Sequence, residues 1–571
     1  MKKRILEYGL LTLILSNVFC FWFFAYPGHL SMWYWDNFFS TESSFFMEFL
    51  EEKNLLLYIS NFFILFFKWT CSGALIMTLS LLIVYLLYRE LLKKLQYSSS
   101  LYVLALIPVA LLFAFQMSRM FVFSRTIFVV FFLIFVLGYL WKINQPKLHV
   151  VVAIFLFVLS FWCFNNIELV YFYTICCFVE LLNNKSKTKY FFSVIALLLA
   201  VYFFVDFLMV KDLTPEFKNP FALQILCFPL FAVLLLIGAK FPFIRTARQS
   251  VFFIIVSLIL SSLSVFFIVK DKLQEEHLYE KLFCLNQLLL DEKCDEMIDL
   301  VKSEQQRTIE FFPFLVYAHA KKGDLPEHLF DYSIDSKTLF LPKALPSTSV
   351  QTSTLGIFFN RDLGFLNEVI HQTFLMSTSH SNGETLFAMR YLPQFHLEKN
   401  DSLLTEKYLK KLNKTIVNKR EVKALREQLK ENVKTNVFSH DSMLFINSLQ
   451  ANNLRIAYLS NPDNVFARDV FFCSLLQRRE YNMFCAFCGE YIKENQVLPI
   501  LYQEALLMGQ EMGIASLDNS RFFISDEVKK RWQDFVNIFN SSLDNRSKEL
   551  QLRSFRRTWW YYCLMSPEPL N

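Results

Sequence analysis

Long apolar runs are confined to one end of this chain. Between Met1 and about Val269 they recur at 15 to 23 residues, and from Lys270 to Asn571 no run reaches that length. Such a run makes a helix long enough to cross the roughly 30 Å hydrocarbon core of a bilayer, where each backbone N–H and C=O must be satisfied within its own segment. The chain is therefore expected to be all-α, with a polytopic transmembrane helix bundle over 1–269 and a soluble α-helical domain over 270–571. Composition agrees: 54% of residues are apolar, and 66 Phe stand against 12 Gly. That is too apolar for an ordinary soluble protein. The net charge of +6 falls mainly in short loops of the first half, where it acts as a topology signal and gives no nucleic-acid footprint.

The first run, Ile5 to Tyr26, follows Lys2-Lys3-Arg4 and stops at Pro27 with no small-residue cleavage pattern, so it reads as a retained anchor. Further runs lie at about 69–91, 101–117, 121–141, 150–164, 167–182, 190–210, 221–239 and 251–269, which makes about nine spans. With the N-terminus in the cytoplasm, fourteen basic residues fall in cytoplasmic segments and six outside, the bias expected of inner-membrane proteins. Residue 270 then lies outside, in the periplasm of a bacterium.

A long external loop, 27–68, separates the first two spans. Its apolar stretch Leu55 to Phe67 is too short to cross. Ser44 to Glu52 sets Glu48, Glu51 and Glu52 on one helical face and Phe45, Phe46, Phe49 and Leu50 on the other, as in a helix lying in the interface. Ahead of it, Asp36 follows the aromatic residues Trp33-Tyr34-Trp35.

The same topology gathers Asp36, Arg119, Arg125, Glu168 and Asp206 at the outer membrane face. Two arrangements fit that set. Arg119 and Arg125 hold a lipid phosphate while Asp36 and Asp206 act as catalytic carboxylates, or the charges pair with one another as salt bridges at helix ends.

Beyond Lys270 the chain reads as short amphipathic helices, among them Glu276–Leu290, Asp295–Lys302, Thr308–Lys322, Leu363–Leu375, Leu403–Leu412, Glu421–Lys430, Phe466–Gln477, Tyr481–Ile492 and Leu501–Met512. Turns such as Lys322-Gly323-Asp324 join them, the pattern of a tetratricopeptide-like helical repeat. Asp331 to Ser353 reads as a long connection. Cys485-Ala486-Phe487-Cys488 has redox spacing but lies in a helix with no preceding strand, so it reads as packing. The nine His residues show no HExxH or paired metal spacing, and no phosphate loop or nucleophile elbow occurs, so neither a metal nor a cofactor is expected.

Gly323-Asp324, Asn461-Pro462-Asp463-Asn464, Tyr502-Gln503-Glu504-Ala505 and Thr558-Trp559-Trp560-Tyr561-Tyr562 resemble, over nearly the full chain, a family of Bacteroidetes-type polytopic membrane proteins with no assigned chemistry. The resemblance implies a bacterial inner membrane and a periplasmic helical-repeat domain. A more distant similarity is to the GT-C membrane glycosyltransferases, through the long first loop, Asp36 and a juxtamembrane helix. That superfamily's acidic pair is not reproduced, because Asn37 follows Asp36. Besides the bilayer itself, the expected partner is an envelope protein under the first resemblance and a polyprenyl-phosphate lipid under the second.

Overall fold

The computed structural model describes residues 2–182, 273–332, 350–379, 384–430, 450–511 and 522–565, apart from short breaks within these ranges. All regular elements among the described residues are helical. By packing, the chain forms two compact units: Met1–Cys284 with Glu384–Met389 and Leu409–Ala424, and Leu285–Gly383 with Arg390–Tyr408 and Leu425–Asn571.

In the first unit, α1 (Lys2–Cys20) continues through a π-helical turn at Phe21–Ala25 and ends at Tyr26. Pro27 dictates that end. It disfavours helical geometry at the residue before it, and Tyr26 leaves the helical region at φ −133, ψ 44. Pro27 then opens α2 (Pro27–Asp36) at its first position, where its missing N–H costs nothing, and the two helices are bent by 73°. The loop continues as α3 (Ser43–Glu51), where a helix was expected, and α4 (Leu55–Ile64), which the short apolar stretch forms.

The chain then enters α5 (Thr70–Lys94), which packs against α1, α6 (Leu106–Gln116) and α7 (Phe123–Leu140). Ala74, Met77, Leu81, Val84, Tyr88 and Leu91 on α5 are buried, while Leu75, Leu79, Ile83 and Leu86 form an exposed stripe at helical spacing. A helix apolar on every face belongs in a large core or a bilayer. α8 (Pro146–Cys163) shows the same habit, with Val151, Ile154, Phe155 and Val158 exposed. Among the described residues α9 (Asn166–Leu182) and the part of α10 (Leu273–Leu290) up to Cys284 also belong to this unit.

The expectation of about nine spans is not met among the described residues. Two helices, Thr70–Lys94 and Phe123–Leu140, are long and apolar enough to cross a membrane, or three if the bent pair Leu11–Ala25 and Pro27–Asp36 counts as one span. Leu101–Gln116, Lys147–Cys163 and Glu168–Cys177 are apolar but shorter. The first of these also changes helix type along its length. Pro108 lacks an N–H and crowds the carbonyl four residues back, so Ser99–Ala105 is a 3-10 segment and the α-helix starts only at Leu106. The runs expected at 190–210, 221–239 and 251–269 lie outside the described residues.

The second unit is built of helices that pack against their sequence neighbours: α11 (Cys294–Ser303) with α12 (Phe312–Lys322), and, after α13 (Leu325–His328), α14 (Val350–Leu363) with α15 (Leu366–Ser379). α16 (Leu386–Glu398), α17 (Ser402–Leu412) and α18 (Lys419–Lys430) follow in the chain, each with residues in both units. Beyond these, α19 (Gln450–Ser460) packs on α20 (Val465–Gln477), which also meets α21 (Tyr481–Tyr491). The helix expected at Leu363–Leu375 is present but starts three residues later, at Leu366, because Gly364 adopts a left-handed φ of 94 and the Phe365 N–H bonds back to the Asn360 carbonyl at 2.8 Å, the turn that ends α14. The stretch read as a connection already turns helical at Val350.

α20 is the hub of this unit: from Phe466 to Gln477 every residue but Arg468 is buried. Asn464 caps it, its side chain accepting the Ala467 N–H at 3.2 Å. The last helices are α22 (Ile500–Glu511), α23 (Asp526–Phe539), α24 (Asn545–Leu552) and α25 (Trp559–Met565).

Candidate functional site

The most heavily built polar cluster of the first unit lies at the start of α2. The first N–H groups of a helix lack intrahelical partners and favour a nearby anion. Here Glu280 of α10 supplies it: Oε1 accepts the Gly28 N–H at 2.6 Å, and Oε2 accepts the His29 N–H at 3.0 Å and the His29 Nδ1–H at 2.6 Å. The approach is so close that a Cβ on Gly28 would sit 2.7 Å from Glu280 Oε1 and 2.9 Å from the Glu280 carbonyl oxygen. Glycine is required there by contact.

Glu276 lies one turn before Glu280, on the same face of α10. Its Oε2 is 3.9 Å from His29 Nε2, and its Oε1 accepts the Ser118 hydroxyl at 3.0 Å. His29 is fully buried against the rings of Tyr26, Phe283 and Trp33. The Glu280 bond fixes the imidazole with its proton on Nδ1, and Nε2 has no hydrogen-bond partner among the described residues. A carboxylate-backed imidazole is the arrangement of an oriented base. Sealed as it is, this one also fastens α2 to α10.

Asp36 closes α2 at its other end. Being seven residues from His29, it shares roughly the same helical face, about 10 Å along the axis. It is 7% exposed, with Asn37 tying off the helix by donating its side-chain N–H to the Trp33 carbonyl at 2.8 Å. Of the other expected site residues, Arg125 donates to Glu168 Oε1 at 3.1 Å, the salt-bridge arrangement of the two that fit the sequence. Arg119 and Asp206 lie outside the described residues.

In the second unit the two cysteines of the redox-spaced motif are buried and form no disulfide. Burial pushes the Cys485 thiol up to about 11 and Cys488 well above its usual range, which suppresses the thiolate that redox chemistry requires. A different trio, His319, Asp324 and His328, brings three potential metal-ligand atoms within 4.8 Å of one another. Sequence reasoning passed over it; the available signal was two histidines flanking an aspartate across the Gly323 turn. The His29–Glu280 pair left no such signal, because 251 residues separate its members.

Fold and site together define a protein, all-helical among the described residues, that joins apolar helices of bilayer length to a unit of paired helices. The chain belongs to DUF6057, a family of unknown function, whose model matches residues 2–566. No curated protein and no solved structure matches it.

Proposed function

We propose that this chain is a multi-pass protein of the bacterial inner membrane, with Met1 in the cytoplasm, that presents a tetratricopeptide-like helical domain in the periplasm to bind another envelope protein. The observation that carries the reading is the exposed apolar stripe of α5, Leu75, Leu79, Ile83 and Leu86, on a 25-residue helix that holds an 18-residue stretch of mean hydropathy 2.1. Water does not tolerate such a surface at that length, and lipid does. The α20–α21 pair and the Gly323 turn support the repeat-like half.

The test joins topology to binding. Alkaline phosphatase fused after residue 300 is expected to be active. A photo-crosslinker at Leu403 or Val497, 84% and 80% exposed, is expected to trap one defined envelope protein that a crosslinker at Leu75 does not. A cytoplasm-only reporter active at residue 300 overturns the topology, and the absence of a crosslinked protein overturns the scaffold.

A second reading, a GT-C-like transferase using a polyprenyl-phosphate-linked sugar at the outer face, is favoured by the buried position of Asp36 on the same helix as His29, just past the 73° break. It requires Asp36→Asn and Asp206→Asn each to abolish an envelope glycan at normal protein abundance, and Arg119→Ala to weaken donor binding. Unchanged glycans in all three variants exclude it.

A further inference from the structure

The turn after α12 is where the second unit concentrates ligating groups. Gly323 adopts φ 76, and the N–H groups of Gly323 and Asp324 bond back to the carbonyls of Ala320 and His319 at 3.2 and 3.1 Å. A left-handed residue at this position reverses the chain tightly and suits glycine alone. The reversal lays the Asp324 carboxylate against the histidine it has just passed, with Oδ1 2.8 Å from His319 Nδ1. Asp324 then leads into α13, and one turn later His328 points Nε2 at the same carboxylate, 3.8 Å from Oδ2. The two imidazole centroids are 4.6 Å apart.

We propose that His319, Asp324 and His328 form a binding site for a divalent transition-metal ion of the zinc type, through His319 Nδ1, the Asp324 carboxylate and His328 Nε2. Two imidazole nitrogens with one carboxylate suit such ions, whereas magnesium and calcium favour all-oxygen sets. Tetrahedral bonds of about 2.0–2.1 Å set ligand atoms roughly 3.3 Å apart. Reaching that from the observed spacing needs rotation only of Asp324 and His328, whose side chains are 30% and 37% exposed. Three protein ligands leave a fourth position for water.

The outer partners carry the argument further. A metal-binding histidine usually gives its second nitrogen to an oxygen that fixes the ring, and both rings here have one. His328 Nδ1–H donates to Asp331 Oδ2 at 2.9 Å, and Asp331 is itself held by Arg557 Nε at 2.9 Å. His319 Nε2 meets the Tyr332 hydroxyl at 3.1 Å. Binding shifts the His319 proton from Nδ1 to Nε2, and Tyr332 turns from donor to acceptor. A plain hydrogen-bond network accounts for His319 and Asp324 but leaves His328 Nε2 aimed at the carboxylate from beyond hydrogen-bond reach; an ion fills that gap. Lys322 is the competing cation, 3.7 Å from Asp324 Oδ2, and it makes its shorter bond, 2.7 Å, to Asp295.

The test uses the purified full chain in detergent, stripped with a chelator and titrated with Zn²⁺ against a competing dye. One Zn²⁺ per chain is expected, with affinity falling more than about 100-fold in His328→Ala and Asp324→Asn and about tenfold in Asp331→Asn. His371→Ala, a half-exposed histidine on another helix, should bind as the parent does. Co²⁺ in place of Zn²⁺ should give the visible band of a tetrahedral nitrogen and oxygen site, and His328→Ala should abolish it. A parent chain that retains no Zn²⁺, or ligand variants with unchanged affinity, overturns the proposal. If a ligand variant misfolds, the Asp331→Asn shift and the parent's Co²⁺ band decide the question.

Discussion

His29 and Glu280 meet through one carboxylate oxygen that accepts both the backbone N–H and the ring Nδ1–H of the histidine, at 3.0 and 2.6 Å. The other oxygen takes the Gly28 N–H. Three buried donors thus depend on one side chain. Glu280→Ala should cost roughly 3–5 kcal/mol, since it leaves those donors without their acceptor away from water. Gly28→Ala should cost roughly 1–3 kcal/mol by overpacking, because its Cβ meets a backbone oxygen that cannot rotate away. Thermal unfolding in detergent measures both, and a parent-like midpoint in either variant removes the clasp from the account of the fold.

Glu504 should make a contribution to the stability of the second unit that is lost as pH rises from about 4.5 to about 7. Glu504 on α22 is 2% exposed, accepts the Trp559 backbone N–H at 2.9 Å, and has Arg531 3.6 Å away. Burial lifts its carboxyl from 4.5 to about 7, against the opposing pull of Trp559 and Arg531. Between those values the folded chain keeps a proton that the unfolded chain has released. The contribution of Glu504 to stability is therefore greatest below about 4.5, declines up to about 7 and is flat above, by on the order of 3 kcal/mol in total. Glu504→Gln keeps an acceptor without the charge, so its advantage over the parent in urea unfolding should be small at pH 5 and large at pH 8. An advantage equal at both pH values contradicts the burial of a charged carboxylate.

Legibility in the sequence followed the range of the forces involved. Helix boundaries set by local sterics were readable: Pro27 marks the end of the first apolar helix, and the Gly323 turn ends α12. Gly364 was missed because the apolar periodicity of Leu363–Leu375 runs on through it, and only its left-handed φ shows that the chain breaks there. The positions of Asp36 and Arg125 in the chain were visible, but which groups they approach depends on packing between helices far apart in sequence. Glu280, the partner that organises α2, was beyond any local pattern for that reason. The span count of about nine rested on hydropathy alone, and Pro108 shows how one residue shortens an α-helix without changing the hydropathy of its run.

Cys485 and Cys488 should behave as core residues. Both are fully buried, and burial holds the Cys485 thiol up at about 11, so at pH 8 the reactive thiolate is well under about 1% of the population. Iodoacetamide at pH 8 should leave both unlabelled in the native chain and label both after denaturation, as read by peptide mass. Rapid native labelling at either position restores a redox or nucleophilic role for the motif.

Arg125 and Glu168 separate the two functional readings. Arg125 lies in the first turn of α7, where a cation opposes the helix dipole, and Glu168 lies in the first turn of α9, where an anion is favoured. Their 3.1 Å bond, with side chains 24% and 8% exposed, therefore offsets an unfavourable placement of the arginine and desolvation of the carboxylate. If the pair is structural, Arg125→Ala should cost roughly 3 kcal/mol by taking the cation's bond from a buried carboxylate. Adding Glu168→Gln should then return much of the loss, because the group that needed the arginine is gone. If Arg125 serves a donor phosphate, Arg125→Ala should lower donor affinity with little change in unfolding, and Glu168→Gln should rescue nothing. A double-mutant cycle on thermal stability, run beside a glycan profile of the same strains, distinguishes the two. Coupling above about 1 kcal/mol with an unchanged glycan profile assigns Arg125 to the fold.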